Sequence, residues 1–102
     1  MNAPVNFDYD DFISQIKTNS SVIVIDVRTP EEYEVFHFED SLLCDIYNPN
    51  FVNEILSLDR GKEYYVYCLS GSRSFQAGLF MLQNGFEKVY NLKNGIKNLL
   101  TF

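Results

Sequence analysis

Apolar positions along the chain switch between two periods, and the switches mark out the elements. Asp8 stands before a segment in which Phe12, Ile13 and Ile16 share one helical face, which predicts a helix capped by Asp8 and ending near Asn19. Val22-Ile23-Val24-Ile25 follows without polar alternation. A continuous β-branched run of this kind suits a strand covered on both faces, as in a parallel sheet. Thr29-Pro30-Glu31-Glu32 has the order of a helix start, with a hydroxyl cap, proline at the first helical position and acids in the first turn. Leu42 to Ile46 reads as a shorter strand. Phe51, Ile55 and Leu58 fall at helical spacing before the turn Asp59-Arg60-Gly61-Lys62. A second strongly apolar strand runs from Tyr64 to Cys68. Ser72 to Gln83 is the clearest helix, with Ala77, Phe80 and Met81 on one face and Asn84-Gly85 as its stop. Lys88 to Asn91 predicts a last short strand, and Gly95 onwards a terminal amphipathic helix.

Strands alternating with helices at this spacing predict an α/β domain in three layers, a mostly parallel sheet with helices on both faces. The 102 residues are expected to form one domain, 1–102, long enough for a continuous core. In such sheets a ligand site lies beyond the carboxyl ends of the strands. Two strand ends carry chemistry there: Asp26-Val27-Arg28 after the first buried strand, and Cys68 after the second.

Composition narrows the function. Eight basic against fourteen acidic residues give a net charge of −6. A surface of that sign repels phosphate backbones, so no nucleic acid partner is expected; the acidity serves solubility or attraction to a basic partner surface. No apolar run approaches the ~20 residues of a membrane span, and the N-terminus lacks a basic start followed by an apolar stretch, so no membrane association and a cytoplasmic location are expected. The chain has two cysteines, Cys44 and Cys68, and one histidine, His37. No cluster of ligands at metal-binding spacing exists, so no metal is expected, and two thiols without a secretion signal are expected to be reduced. The question becomes which thiol is reactive.

Cys44 lies inside an apolar run and reads as a small buried hydrophobe. Cys68 differs. It opens the loop Cys68-Leu69-Ser70-Gly71-Ser72-Arg73-Ser74, which leads from a strand into a helix. Successive backbone N–H groups in such a loop can point inward as an anion-binding nest, and the helix adds its own free N–H groups and the positive end of its dipole. Gly71 allows a positive φ at the turn. A thiol at the floor of this cup has its anion stabilised, which an average buried cysteine does not.

DVRTPEEYEVFH from Asp26 to His37, YVYCLSGSRS from Tyr65 to Ser74, and VYNLKNGIKNL from Val89 to Leu99 together resemble the signatures of the rhodanese-like sulfurtransferase family, in order and spacing, over nearly the whole chain. The resemblance implies a three-layer α/β fold and a persulfide mechanism. Cys68 attacks the outer sulfur of a donor (thiosulfate, a polysulfide or a persulfidated protein) and passes it to cyanide or a thiol. The loop from Leu69 through Ser70, Gly71, Ser72 and Arg73 to Ser74 binds the substrate and the anions, and no cofactor is implied. Four residues separate Cys68 from Arg73, whereas the related phosphatases place five; a shorter ring of N–H groups suits a sulfane sulfur better than a tetrahedral phosphate. Three departures stand out. Leu69 occupies a place that is basic in many active members, which removes a charge for thiosulfate. The family's His-Ile-Pro-Gly-Ala reads His37-Phe38-Glu39-Asp40-Ser41. Its Gly-Gly-Ile reads Asn94-Gly95-Ile96, with Leu99 in place of a tryptophan.

The alternative reading is a binding or regulatory module without turnover, motivated by Leu69 and the lost Pro-Gly turn. Asp26 and Arg28 support the site, either by orienting the loop or, in the plainer reading, as a local cap and an ion pair. His37 reads as a proton shuttle or, in the plainer reading, as a structural residue of a turn. Arg73 binds the substrate anion or braces the loop. Tyr64, Tyr65 and Tyr67 alternate along a strand as core or rim, and any exposed ones would frame a surface for a protein partner.

Overall fold

A computed structural model describes residues 1–100. Five strands form one parallel sheet: β1 (Val5–Phe7), β2 (Ile23–Asp26), β3 (Leu42–Leu43), β4 (Glu63–Tyr67) and β5 (Lys88–Leu92), in the order β1-β5-β4-β2-β3. Four helices connect them: α1 (Tyr9–Thr18), α2 (Pro30–Val35), α3 (Phe51–Leu56) and α4 (Ser72–Gln83). The expected α/β architecture is therefore what forms, with every strand pair parallel.

The local chemistry that predicted the elements also bounds them. The Asp8 carboxylate accepts from the Asp11 amide at 3.0 Å and starts α1. Thr29 and Glu32 close a capping box around the first turn of α2, with Pro30 at its first position. Gly85 ends α4 at a φ of +92°.

Side chains on the two faces of the sheet build two cores. On one face Ile25, Val27, Tyr64, Val66 and Val89 pack with Phe51 and Ile55 of α3 and Ala77 and Met81 of α4. On the other, Tyr65, Tyr67 and Leu92 pack with Phe12 of α1, Phe38 and Ile96. The central strand β4 is buried on both faces, which is why it reads as a nearly unbroken apolar run.

Val5-Asn6-Phe7, for which the sequence pattern offered no element, is an edge strand in register with Tyr90-Asn91-Leu92. Two expectations need correction. Strand β3 ends at Leu43, because Cys44 and Ile46 instead hydrogen-bond to the carbonyls of Asp26 and Val27 outside the regular ladder. The terminal helix is a single 3₁₀ turn, Lys97–Leu99; its expected continuation into Thr101 and Phe102 lies outside the described residues. Tyr64, Tyr65 and Tyr67 are all buried, so none of them frames a surface. Among the described residues no helix is long and apolar enough to cross a membrane.

Candidate active site

Strand order places the site. From β4 the chain proceeds through α4 to β5 on one side, and from β2 through α2 to β3 on the other, so the direction of winding reverses between neighbours β2 and β4. Crevices form at such switch points, beyond the carboxyl ends of the strands. Asp26 ends β2 and Cys68 follows β4.

Cys68 is fully buried, and its Sγ lies inside the turn that follows it. The amides of Gly71 and Ser74 point at the sulfur at 3.1 and 3.4 Å, and Ser74 Oγ lies 3.3 Å away. Gly71 turns the chain with a φ of +95° and precedes α4, so the sulfur faces the first free amides of a twelve-residue helix. Of the loop Cys68-Leu69-Ser70-Gly71-Ser72-Arg73-Ser74, the amides of Gly71 and Ser74 are the ones directed at the sulfur. Ser70 and Ser72 are exposed, with hydroxyls 3.3 Å apart, and Leu69 is half-buried.

The other two sequence signatures brace this loop. Carbonyls of Cys68 and Leu69 accept from the amides of Ile96 and Lys97 at 3.2 and 3.0 Å. Gly95 makes that approach possible: with a φ of +66°, its place for a Cβ lies 2.1 Å from the Leu69 oxygen. From the other side, Glu32 of α2 receives both terminal nitrogens of Arg73 at 2.8 and 2.9 Å. That fork, and burial opposed to it, set the Glu32 carboxyl at about 2, well below its ordinary value. The Arg73 guanidinium also lies 5.7 Å from the Tyr47 ring. Its planar fork is thus occupied by Glu32, an arrangement that favours bracing over free anion binding.

Asp26 and Arg28 pair with each other. The guanidinium binds the carboxylate through Nε and Nη2, and Nη2 also donates to the Phe36 carbonyl. Both residues are buried, at 0% and 1% exposure, and neither is among the groups hydrogen-bonded to Sγ. They anchor the segment that leaves α2. There Tyr67 receives the Phe38 amide and lies 3.1 Å from the Ser41 hydroxyl, and burial pushes the Tyr67 phenol up. Within His37-Phe38-Glu39-Asp40-Ser41, Asp40 takes the left-handed conformation (φ +62°) at the family's glycine place, so a turn survives the substitution. His37 is exposed and stacks on Tyr33 at 3.7 Å, away from the sulfur contacts.

Cys44 has none of these features. It is buried among apolar side chains, and burial pushes its thiol up to about 11. Strand β2 runs between it and Cys68, a separation of two strand spacings, roughly 9–10 Å. That exceeds the reach of a disulfide, and both thiols are free.

Sequence reasoning missed Asn91 and Asn6. Asn91, 1% exposed, lies on the α4 face of β5. Its Oδ1 accepts from Ser74 Oγ at 2.5 Å, while its Nδ2 donates to Asn6 Oδ1 and to the Gly71 carbonyl at 3.0 and 3.2 Å. The signal available was an asparagine inside the apolar strand Val89-Tyr90-Asn91-Leu92. A hollow of about 330 Å³ borders the loop at Ser70, Gly71, Ser72, Asn91 and Lys93. A larger one of about 540 Å³, lined by Ile13, Ile16, Val22 and Phe38, holds none of the loop residues.

Comparison with known proteins agrees with this geometry. The profile of the family described as "Rhodanese-like domain" matches residues 8–101. A rhodanese-related protein from Thermoplasma volcanium superposes with a TM-score of 0.80 at 27% identity, over 94% of this chain and 90% of that one. The protein named tRNA uridine(34) hydroxylase from Cytophaga hutchinsonii is 37% identical over 84 residues, 79% of this chain and 27% of the relative. Its namesake from Photorhabdus laumondii subsp. laumondii is 34% identical over 88 residues, 82% and 25% respectively. The chain thus spans about a quarter of the length of the curated relatives it matches. Those names overturn the exclusion of nucleic acid. A net charge of −6 describes the surface of this stretch alone, and in proteins named for tRNA the matching region is a quarter of the whole, so its charge does not decide what the whole binds.

Proposed function

The chain is a member of the rhodanese-like domain family, and from that premise we propose that it is an enzyme moving a sulfane sulfur through a persulfide on Cys68. The supporting observation is the pair of backbone amides, Gly71 and Ser74, directed at Sγ. Such amides stabilise a sulfur anion and need no reorganisation as it forms.

In the first half-reaction the Cys68 thiolate attacks the outer sulfur of the donor. The Sγ–S bond forms, the sulfur–sulfur bond of the donor breaks, and the donor remnant leaves with the electron pair as a thiolate or sulfite. In the second, an acceptor thiolate or cyanide attacks the terminal sulfur and Sγ leaves as a thiolate. The same amides serve both anions of Cys68. Arg73 holds the loop through Glu32, and Leu69 puts no cation at the first loop position after Cys68, which favours a persulfide or polysulfide donor over thiosulfate.

The test is cyanolysable sulfur on the protein after incubation with a polysulfide. Retention of loading in Cys44→Ser and its loss in Cys68→Ser is the expected result; loading that survives Cys68→Ser overturns it. A second reading rests on the identity to proteins named tRNA uridine(34) hydroxylase: the same loop works within a tRNA-modifying reaction. A uridine in tRNA that gains one oxygen in a Cys68-dependent manner, without sulfur loading of the protein, favours that reading.

A further inference from the structure

Ser74 Oγ has one hydrogen and three acceptors around it: Sγ of Cys68 at 3.3 Å, the Gly71 carbonyl at 3.3 Å, and Asn91 Oδ1 at 2.5 Å. Which of them receives the hydrogen is settled by the Asn91 amide. A carbonyl can only accept, so the group facing the Gly71 oxygen must be the NH₂ of Asn91. Its carbonyl then faces Ser74, and the serine hydrogen is committed to it. The contact from Ser74 Oγ to Sγ at 3.3 Å is the weaker claim on that hydrogen, and Asn91 is itself held in place by donating to Asn6 at the sheet edge.

We infer that Asn91 is a positioning residue that restrains the Cys68 anion by holding the Ser74 hydroxyl away from it. As an anion the sulfur competes for the serine hydrogen as a strong, charge-assisted acceptor. Turning the hydroxyl to sulfur leaves Asn91 Oδ1 buried without its donor, which is unfavourable. Ionisation of Cys68 is therefore coupled to the loss of the Ser74–Asn91 bond. In the absence of Asn91 the remaining competitor is the Gly71 carbonyl, which already accepts from the Phe75 amide at 3.2 Å and, at 3.3 Å, lies no nearer to Oγ than the sulfur does. The freed hydroxyl would then serve the sulfur anion. This inference rests on Cys68 as the reactive thiol, and it is independent of which group the thiol transfers.

The test is titration of the ultraviolet thiolate absorbance, each protein measured against its Cys68→Ser counterpart and kept below about pH 9, where tyrosines stay protonated. Asn91→Ala is expected to lower the midpoint by about half a pH unit, a threefold gain in thiolate well below the midpoint. In a Ser74→Ala background, Asn91→Ala is expected to change nothing. Asn91→Leu, closer in volume, is the second variant and is expected to act as Asn91→Ala does. A midpoint that stays or rises in a folded Asn91 variant, or a shift equally large in the Ser74→Ala background, overturns the inference. Failure of sulfur loading with the expected titration intact would count against sulfur transfer alone.

Discussion

A Cβ at Gly95 would lie 2.1 Å from the Leu69 oxygen and 2.6 Å from the Ser70 nitrogen, at a φ of +66°. Both objections are to backbone, which cannot turn aside as a side chain can. Gly95→Ala is therefore expected to destabilise the fold by at least about 2 kcal/mol and to lower Tm by roughly 8–16 °C. Gly61→Ala is the control. Its Cβ meets only Asp59 Oδ1 at 3.4 Å, so thermal unfolding should show a change within about 0.5 kcal/mol. At Leu69 the expectation concerns the donor. Leu69→Lys adds a cation at the mouth, and about 1 kcal/mol of attraction would lower the KM for thiosulfate about fivefold while leaving that for a neutral polysulfane unchanged. Equal effects on both donors would show that Leu69 acts by shape.

Between elements, two charged links hold α2, β2 and the loop in place, and they differ in kind. Asp26 and Arg28 are wholly buried, so Asp26→Asn leaves a guanidinium without its counter-charge; a loss of about 3–5 kcal/mol on denaturant unfolding is expected. Glu32 and Arg73 are partly exposed and contribute about 1 kcal/mol. The Glu32 carboxyl lies at about 2 in the folded protein against 4.5 unfolded. Its folded value is depressed, so its contribution is present in full above about pH 4.5 and is lost as pH falls through about 2. Glu32→Gln should flatten that part of the stability–pH curve and slow sulfur transfer at neutral pH by loosening Arg73. How far such links could be read from sequence varied by element. Helix α4 was legible to its ends because its apolar face, Gly71 before it and Gly85 after it all agree. Strand β1 was not, since three residues at a sheet edge with two of them exposed have no hydrophobic pattern to show. The thiol and its loop were legible because strand, glycine and helix start are contiguous. Glu32 and Asn91 were read as a first-turn acid and a strand residue, because their partners lie 41 and 17 residues away and only the closed sheet brings them together.

Across the whole molecule the net charge of −6 acts on whatever approaches the loop. Repulsion of an anionic donor is screened as the Debye length shortens from about 30 Å at 0.01 M salt to about 8 Å at 0.15 M. Loading from thiosulfate should accelerate over that range, and loading from a neutral polysulfane should not. The same charge proved a poor guide to nucleic acid, because relatives named for tRNA contain a matching region in a chain about four times as long. The three sequence signatures, far apart in the chain, meet at one sulfur: one supplies the thiol and amides, one the Glu32 brace, one the Gly95 backing. The claim that this sulfur becomes a persulfide is tested most directly by peptide-resolved mass measurement before and after exposure to a polysulfide. A gain of one sulfur on the peptide holding Cys68, removed by cyanide, is the predicted result; no gain with any sulfane donor, or a gain confined to the peptide holding Cys44, would contradict it.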